Sequence, residues 1–259
     1  MLKIAVLGAG RMGGELIAAL ASSGEMELSG VWVRQPGRLD AALVPPTAMV
    51  NDDIDEVIAG AGVAVDFSLA EATAGVLAAV VKAGVPLVCG VTGLGDRDMQ
   101  QMRAAANSIP LLYDRNMSLG IAVLKELIAF SGPLLQPGFI AGIHETHHVH
   151  KKDAPSGTAL ALGEVLAQSR GRAFEDVYRF ATTGEQRRSP EDIVVTATRR
   201  GEVPGEHTVL FQSDAESLEL THKVSDRRVF AEGALRAARW LVNQTPGLYH
   251  MSDLLSGGR

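Results

Sequence analysis

The run Lys3-Ile4-Ala5-Val6-Leu7-Gly8-Ala9-Gly10-Arg11-Met12-Gly13 joins a short apolar stretch to the pattern Gly-x-Gly-x-x-Gly. An apolar run closed by glycine predicts a buried strand over Lys3–Leu7, and the spacing of apolar residues that follows predicts a helix over Met12–Ser22. Between them the glycines permit a sharp turn. Gly10, lacking a side chain, lets a pyrophosphate come close to the helix start, where backbone N–H groups have no acceptor of their own. Strand, glycine loop and helix together predict a dinucleotide site contacted by Gly8, Ala9, Gly10, Arg11, Met12 and Gly13.

Outward from this loop, β-branched runs alternate with alanine-rich helical segments. Strands are predicted at Glu27–Val33, Val63–Phe67, Leu87–Cys89 and Ile109–Tyr113, and a helix at Ala70–Ala83 with Gly84 as its stop. This rhythm is that of βαβ units in one doubly wound parallel sheet, a Rossmann-type domain. Sites that prefer NAD usually carry an acid at the end of the second strand for the ribose 2′-hydroxyl. Here that place reads Val31-Trp32-Val33-Arg34-Gln35, with no acid and with Arg34 placed to pair with a 2′-phosphate. NADPH is therefore favoured, or used beside NADH. Two further loops fall beyond predicted strand ends, where such a sheet gathers its cofactor contacts: Gly90, Val91 and Thr92 in one, Asp114, Arg115, Asn116 and Met117 in the other.

After Ser118 the rhythm changes. A helix is predicted over Leu119–Phe130, with Gly132, Pro133, Pro137 and Gly138 breaking the chain behind it. A strand Phe139–Thr146 and a helix Gly157–Ser169 follow, then a polar stretch Arg170–Asp192 read mostly as loop with a short strand near Val177–Ala181. Strands Ile193–Thr198, His207–Gln212 and Ser217–Lys223 succeed one another without long helices, which predicts an open mixed or antiparallel sheet in a second, smaller α+β domain. A last helix, Arg227–Asn243, ends before Pro246-Gly247 and has an apolar stripe that fits against either domain.

Bulk properties narrow the function classes. The 259 residues carry a formal net charge of -6, which argues against a nucleic-acid partner. Cys89 is the only cysteine, so no intramolecular disulfide and no paired-cysteine metal motif exist, as suits a reducing cytoplasm. The opening segment meets Gly8 and Gly10 too early for a signal peptide, and no apolar run reaches membrane-spanning length. A soluble cytoplasmic protein with no membrane partner is expected.

The chemistry concentrates in Glu145-Thr146-His147-His148-Val149-His150-Lys151-Lys152-Asp153-Ala154-Pro155-Ser156-Gly157-Thr158. His144-Glu145-Thr146-His147-His148 spells the zinc-hydrolase pattern His-Glu-x-x-His, but that pattern works on a helix and this one continues a strand, so no metal is expected. The helix start at Ser156, Gly157 and Thr158 supplies N–H and hydroxyl groups for a carboxylate. Lys151, and a protonated histidine, suit a second carboxylate or a proton transfer to a neighbouring carbanion or nitrogen. A dicarboxylate substrate follows. Asp153 and Pro155 are read as loop-fixing residues without a chemical role.

Those fourteen residues closely resemble the signature Glu-x-His-His-x-x-Lys-x-Asp-Ala-Pro-Ser-Gly-Thr of the 4-hydroxy-tetrahydrodipicolinate reductase (dihydrodipicolinate reductase) family. Asp66-Phe67-Ser68, Gly90–Gly93, Asn116-Met117-Ser118, Gly205-Glu206-His207-Thr208, Thr221-His222-Lys223 and Gly247-Leu248-Tyr249 extend the similarity over nearly the whole chain. Three places differ from the usual family pattern: the glycine loop is one residue shorter than Gly-x-x-Gly-x-Met-Gly, Val33 stands where many members carry an acid, and Val91 replaces a frequent threonine. The resemblance implies hydride transfer from NADPH or NADH to a small cyclic dicarboxylate in diaminopimelate and lysine biosynthesis. On matching positions it implies His147 as acid/base, Lys151 as proton donor, and His148, Gly157 and Thr158 as carboxylate contacts. It further implies a homotetramer joined through the sheets of the substrate domain. The domains expected are residues 1–118 for the dinucleotide and residues 119–227 for substrate and oligomerisation, with residues 228–259 returning to the first. A sensing module without turnover would be expected to lose His147 or Lys151, and both are present.

Overall fold

The computed structural model describes residues 1–181 and 188–256. Residues 182–187, part of the stretch read as loop, lie outside that range, as do residues 257–259. The chain divides into two compact units, residues 1–118 with 227–259, and residues 119–226.

The first unit begins β1 (Leu2–Leu7), α1 (Arg11–Ala21), β2 (Met26–Trp32), β3 (Met49–Asn51), α2 (Ile54–Ile58), β4 (Val63–Asp66), α3 (Thr73–Ala83), β5 (Leu87–Cys89), α4 (Asp96–Ala105) and β6 (Pro110–Tyr113). The second unit holds α5 (Leu119–Leu134), β7 (Ile140–His147), α6 (Gly157–Ser169), α7 (Phe174–Val177), β8 (Tyr178–Ala181), β9 (Ile193–Arg199), β10 (Gly205–Gln212) and β11 (Ser217–Val224). The chain then returns to the first unit with α8 (Arg228–Leu241), β12 (Gly247–Tyr249) and α9 (Asp253–Ser256).

Seven strands form the first sheet in the order β12-β6-β5-β4-β1-β2-β3, each neighbouring pair parallel. Parallel sheets carry cover on both faces, so their strands read as unbroken apolar runs. Ile4, Ala5, Val6 and Leu7 are all fully buried, as are Val63, Ala64 and Val65. Strand order reverses between β1 and β4, the position at which doubly wound sheets open a crevice beyond their carboxyl ends. The glycine loop leaves β1 at that point. α3 ends at Gly84, whose φ of 66° is the left-handed cap that glycine adopts without strain.

The second sheet has the order β11-β10-β7-β9-β8, with β7, β9 and β8 parallel and β10 antiparallel to both its neighbours. It is the expected open mixed sheet. Its core joins Ile121, Leu124 and Ile128 of α5 and Leu162 and Leu166 of α6 to Ile143, Val195 and Phe211 of the strands. In β10, buried residues alternate strictly with half-exposed ones until Gln212, the mark of a sheet covered on one face.

Several boundaries move. α5 runs through Gly132 and Pro133 to Leu134, where the sequence reading stops at Phe130. Pro133 lies in the last turn, so only one ladder bond is lost, and Gly132 is explained by packing: a Cβ there would sit 2.0 Å from Ser169 Oγ. β3, α2, α4, β12 and α9 have no counterpart in the sequence reading. The last long helix packs in the first unit, with Gly233 so close to Met117 that a Cβ would lie 1.8 Å from its carbonyl oxygen.

Candidate functional site

In the first unit the predicted cofactor residues gather at the carboxyl ends of β1, β2, β5 and β6. Gly8 has φ 89°, and a side chain there would meet the Ser68 backbone at 2.8 Å. Gly13 is fixed more tightly still, since its Cβ would lie 1.9 Å from the Gly8 carbonyl oxygen. Gly10 differs from both. It has φ −69°, and nothing lies within 4 Å of a Cβ built on it. Two glycines therefore close the turn, while the third keeps a space open in front of α1. That helix has no side-chain cap and no acid in its first turn, which leaves its first N–H groups available to an anion. The loop, a residue shorter than the family pattern, thus retains a cradle that fits a pyrophosphate.

The neighbouring loops are built by their own side chains. Asp66, fully buried at the end of β4, accepts the Ser68 N–H at 2.8 Å, while its other oxygen has no partner among the described residues. Burial pushes its carboxyl up to about 6, against the Ser68 hydrogen bonds that favour the charged form. The Phe67 ring packs so closely over Gly90 that a Cβ there would meet Cε1 at 2.4 Å. Asp114 accepts from the N–H groups of Asn116 and Met251, and Asn116 from that of Ser118 at 2.9 Å. Val91 and Met117 are core side chains, each 2% exposed, so a ligand meets only their backbone. Arg11, Arg34, Thr92 and Arg115 are exposed. Asp66, Phe67 and Ser68 border this loop cluster without having been expected among its contacts, although their motif is visible in the sequence.

In the second unit the register of four strands assembles the other group. Across the sheet, His222 pairs with His207, His207 with Glu145, and Glu145 with Ala197. One step along, His147 pairs with Arg199. Partners in register point to the same face, as do residues two apart on one strand, so Glu145, His147, Arg199 and His207 converge. Glu145 is fully buried; both its oxygens accept the Ser156 N–H at 3.1 Å, and Oε1 accepts from Arg199 at 3.3 and 3.4 Å. Its Oε2 lies 3.6 Å from His147 Nδ1 and 3.8 Å from His207 Nε2. The two imidazoles meet edge to face, with centroids 5.1 Å apart. A Cβ at Gly205 would stand 3.2 Å from His147 Nε2, so that glycine leaves room for the ring.

Arg199 also ties down the loop after β7. Its Nε donates to the Lys151 carbonyl at 3.2 Å, and its Nη2 donates to that of Asp153. Lys151 Nζ stands 2.9 Å from Asp153 Oδ2. Asp153 therefore holds the catalytic candidate itself, where the sequence reading gave it only loop geometry. Burial works against its charged form, and the hydrogen bond and charge of Lys151 outweigh that to lower its pKa. Ser156 caps α6, its Oγ accepting the Ala159 N–H at 3.1 Å and lying 3.3 Å from His207 Nε2. Its N–H is already taken by Glu145, so Ser156 shapes the helix start, and the backbone of Gly157 and Thr158 presents the anion-facing end. His148 lies just past β7, its ring tilted 6.1 Å from that of His150.

Burial pulls His147 down to about 4; Glu145 pulls the other way, and the charges of Lys151 and Arg199 add to the lowering. Burial and the neighbouring His147 bring His207 to about 3. Both rings are neutral near pH 7. Glu145, His147 and His207 present ligand atoms all within 4.8 Å of one another. Of these only Glu145 belongs to the His-Glu-x-x-His pattern; its histidines are His144 and His148, and His144 faces the other side of the sheet against Thr196 at 2.8 Å. Arg199 and the Ser156 N–H already neutralise the carboxylate that a cation would need. Glu145, Arg199 and His207 are absent from the sequence-derived site; the signal for Glu145 is its spacing of two from His147 on one strand.

The family model described as "Dihydrodipicolinate reductase, N-terminus" matches residues 2–117, and "Dihydrodipicolinate reductase, C-terminus" matches residues 120–255. Proteins named 4-hydroxy-tetrahydrodipicolinate reductase include one from Sulfurimonas denitrificans, 41% identical over 98% of this chain and 99% of its own length. Another, from Wolinella succinogenes, is 42% identical over 98% and 99%. The solved dipicolinate-bound dihydrodipicolinate reductase from Paenisporosarcina superposes with TM-score 0.77 at 20% identity, covering 96% of this chain and 97% of that one. An enzyme of gentamicin A biosynthesis solved with NAD gives TM-score 0.63 at 15% identity over 100% and 87%. These two structures share the fold. With both halves matched in order and identity above 40% over almost its whole length, the chain belongs to the dihydrodipicolinate reductase family of oxidoreductases.

Proposed function

We propose that this protein reduces 4-hydroxy-tetrahydrodipicolinate to tetrahydrodipicolinate with NADPH or NADH, in diaminopimelate and lysine biosynthesis. The observation that carries the reading is the convergence of buried His147, its partner Glu145, and Lys151 beside the start of α6, in a chain of this family.

The bound nicotinamide supplies the hydride. The first unit binds the cofactor through the glycine loop, with Gly8, Ala9, Gly10, Arg11, Met12 and Gly13 around the pyrophosphate, and through the backbone at Gly90, Val91 and Thr92 and at Asp114, Arg115, Asn116 and Met117. Exposed Arg34, with no acid at Val33, receives the 2′-phosphate of NADPH and leaves NADH usable. In the second unit Gly157 and Thr158 hold one carboxylate at the helix start, and His148 contacts the dicarboxylate beside it. Lys151 carries the proton delivered to the ring nitrogen, and Asp153 holds its Nζ until then. His147 enters the cycle neutral. A dianionic substrate beside it favours the imidazolium, so it can take up a proton on binding and return it as water leaves.

The open face of the five-stranded sheet supports the homotetramer. It presents Ile140, Gly142, Val194, Thr196, Thr208 and Leu210 along a groove of about 530 Å³, apolar enough to be covered by a second subunit. No helix among the described residues is long and apolar enough to cross a membrane. Together with the lone buried thiol of Cys89, this supports placement in a reducing cytoplasm.

The test couples the purified protein to a dihydrodipicolinate synthase that makes the substrate in place, following NADPH and NADH absorbance separately. Substrate-dependent oxidation is expected with NADPH at least. Its absence with both cofactors overturns the assignment.

A further inference from the structure

Glu145 is a fully buried carboxylate to which the reading of the site above gives no task in the reaction. Replacing a buried ionic group by an apolar one is often neutral or stabilising, so a carboxylate kept at full burial against a partly exposed arginine calls for another use. Its contacts describe one. The carboxylate receives the Ser156 N–H at the entry to α6 and the guanidinium of Arg199 at 3.3 Å, and faces His147 Nδ1 at 3.6 Å. His147 Nδ1 is buried without a hydrogen-bond partner, and buried polar atoms are seldom left so. The nearest carboxylate oxygen stands just beyond bonding range, within reach of a small turn of the ring. Arg199, with its other donors on the carbonyls of Lys151 and Asp153, ties the same carboxylate to the loop that carries the proton donor.

We propose that Glu145 is a positioning residue which fixes the His147 imidazole by accepting its Nδ1–H as the ring closes, and that Arg199 is the brace joining this hold to the Lys151 loop. Nδ1 then carries the hydrogen and Nε2, on the side that Gly205 keeps clear, is turned to the substrate. The inference rests on the reductase reading for its kinetic consequence. The bland alternative is that Glu145 only caps the start of α6 and neutralises Arg199.

A double-mutant cycle separates the two, with E145Q, H147Q and the double variant compared for kcat and KM at saturating NADPH. Glutamine retains an oxygen for the Ser156 N–H and removes the charge. E145Q is expected to lower kcat about 10- to 100-fold, the range seen when a partner that orients a working histidine is lost. The double variant should be no slower than H147Q within about twofold, because Glu145 acts through the ring. Losses that multiply, or a wild-type kcat in E145Q, overturn the proposal. If E145Q does not fold, R199K reads the brace: lysine cannot span both carbonyls and the carboxylate, so kcat falls, and it falls by less in the H147Q and K151A backgrounds than in the wild type. Independent losses there overturn it equally. A turnover-free readout keeps the outcome apart from the reductase assignment. The His147 ring, faced by Glu145, Lys151, Arg199, Asp153 and His207, should titrate by NMR near pH 4 in the wild type and lower in E145Q. An unmoved titration refutes the hold on His147 even in a chain that shows no turnover.

Discussion

Replacing Asp66 with asparagine isolates the energetic consequence of burying one carboxyl beside the glycine loop. The side chain is fully buried, one oxygen bonded to the Ser68 N–H and the other unpartnered. Burial raises its pKa from 3.8 to about 6. For an acid raised on folding, both states are protonated below the unfolded value and nothing is lost. The native state weakens as pH climbs from 3.8 and reaches its full deficit above about 6, where the difference amounts to about 3 kcal/mol. About half of that is already present at pH 5, so Asp66→Asn, which cannot ionise, should gain on the order of 1 kcal/mol on the wild type between pH 5 and pH 8. Any constant offset from the unpaired amide hydrogens cancels in that comparison. Both tryptophans, Trp32 and Trp240, lie in the first unit, so urea titrations followed by tryptophan fluorescence report the unit that holds Asp66. Working at fixed protein concentration keeps subunit association out of the difference. A stability gap equal at pH 5 and pH 8 would show that the carboxyl is not buried in its charged form.

Lys151→Ala should lower kcat by about 10²- to 10⁴-fold with thermal melting unchanged, since a proton donor contributes in the transition state; steady-state rates beside a melting curve check it. The glycines of the first loop should separate: Gly10→Ala folds normally and raises the NADPH KM at least about tenfold, whereas Gly13→Ala melts far below the wild type because of the 1.9 Å approach to Gly8. Equal melting temperatures for the two would contradict the geometry. Arg34→Ala should raise the KM for NADPH by about ten- to a hundredfold, the worth of a hydrogen bond to a charged group, and leave that for NADH within about twofold. Dipicolinate, used as a substrate mimic, should bind more tightly as pH falls from 8 toward 5, with proton uptake measurable by calorimetry in buffers of differing ionisation heat, because its charge raises the His147 value from about 4. Affinity independent of pH would remove His147 from the dicarboxylate site.

What could be read along the chain is what lies contiguous in it. β5 and α6 have the predicted boundaries, because each is an apolar or periodic run between strong stops, Gly84 and Gly90 for one and the Ser156 cap for the other. α4 escapes such reading because only Met102 and Ala105 of its ten residues are buried, which leaves no apolar stripe. β3 and β12 are three-residue strands at the two edges of their sheet, too short for a period to show. The site divides the same way. His147, Lys151 and the helix start share one segment and are legible there. Arg199, 54 residues from Glu145, and His207 join them only through strand register, which is a property of the folded sheet and has no signature in local spacing.

The first unit is made of two pieces of chain separated by the whole of the second. Its sheet reaches the order given above only when Gly247–Tyr249 has paired with Pro110–Leu112, His250 has bonded the Tyr113 carbonyl at 2.8 Å and Met251 has donated to Asp114. During synthesis the second unit, continuous in sequence, can complete itself first, while β6 waits as a bare edge able to pair with any passing strand. Removing residues 247–251 would therefore reach backward through the molecule. It would loosen the loop at Asp114 that the cofactor is proposed to touch and expose a sticky sheet edge, so aggregation during expression, ahead of any loss in the active groups, is how such a truncation would first declare itself.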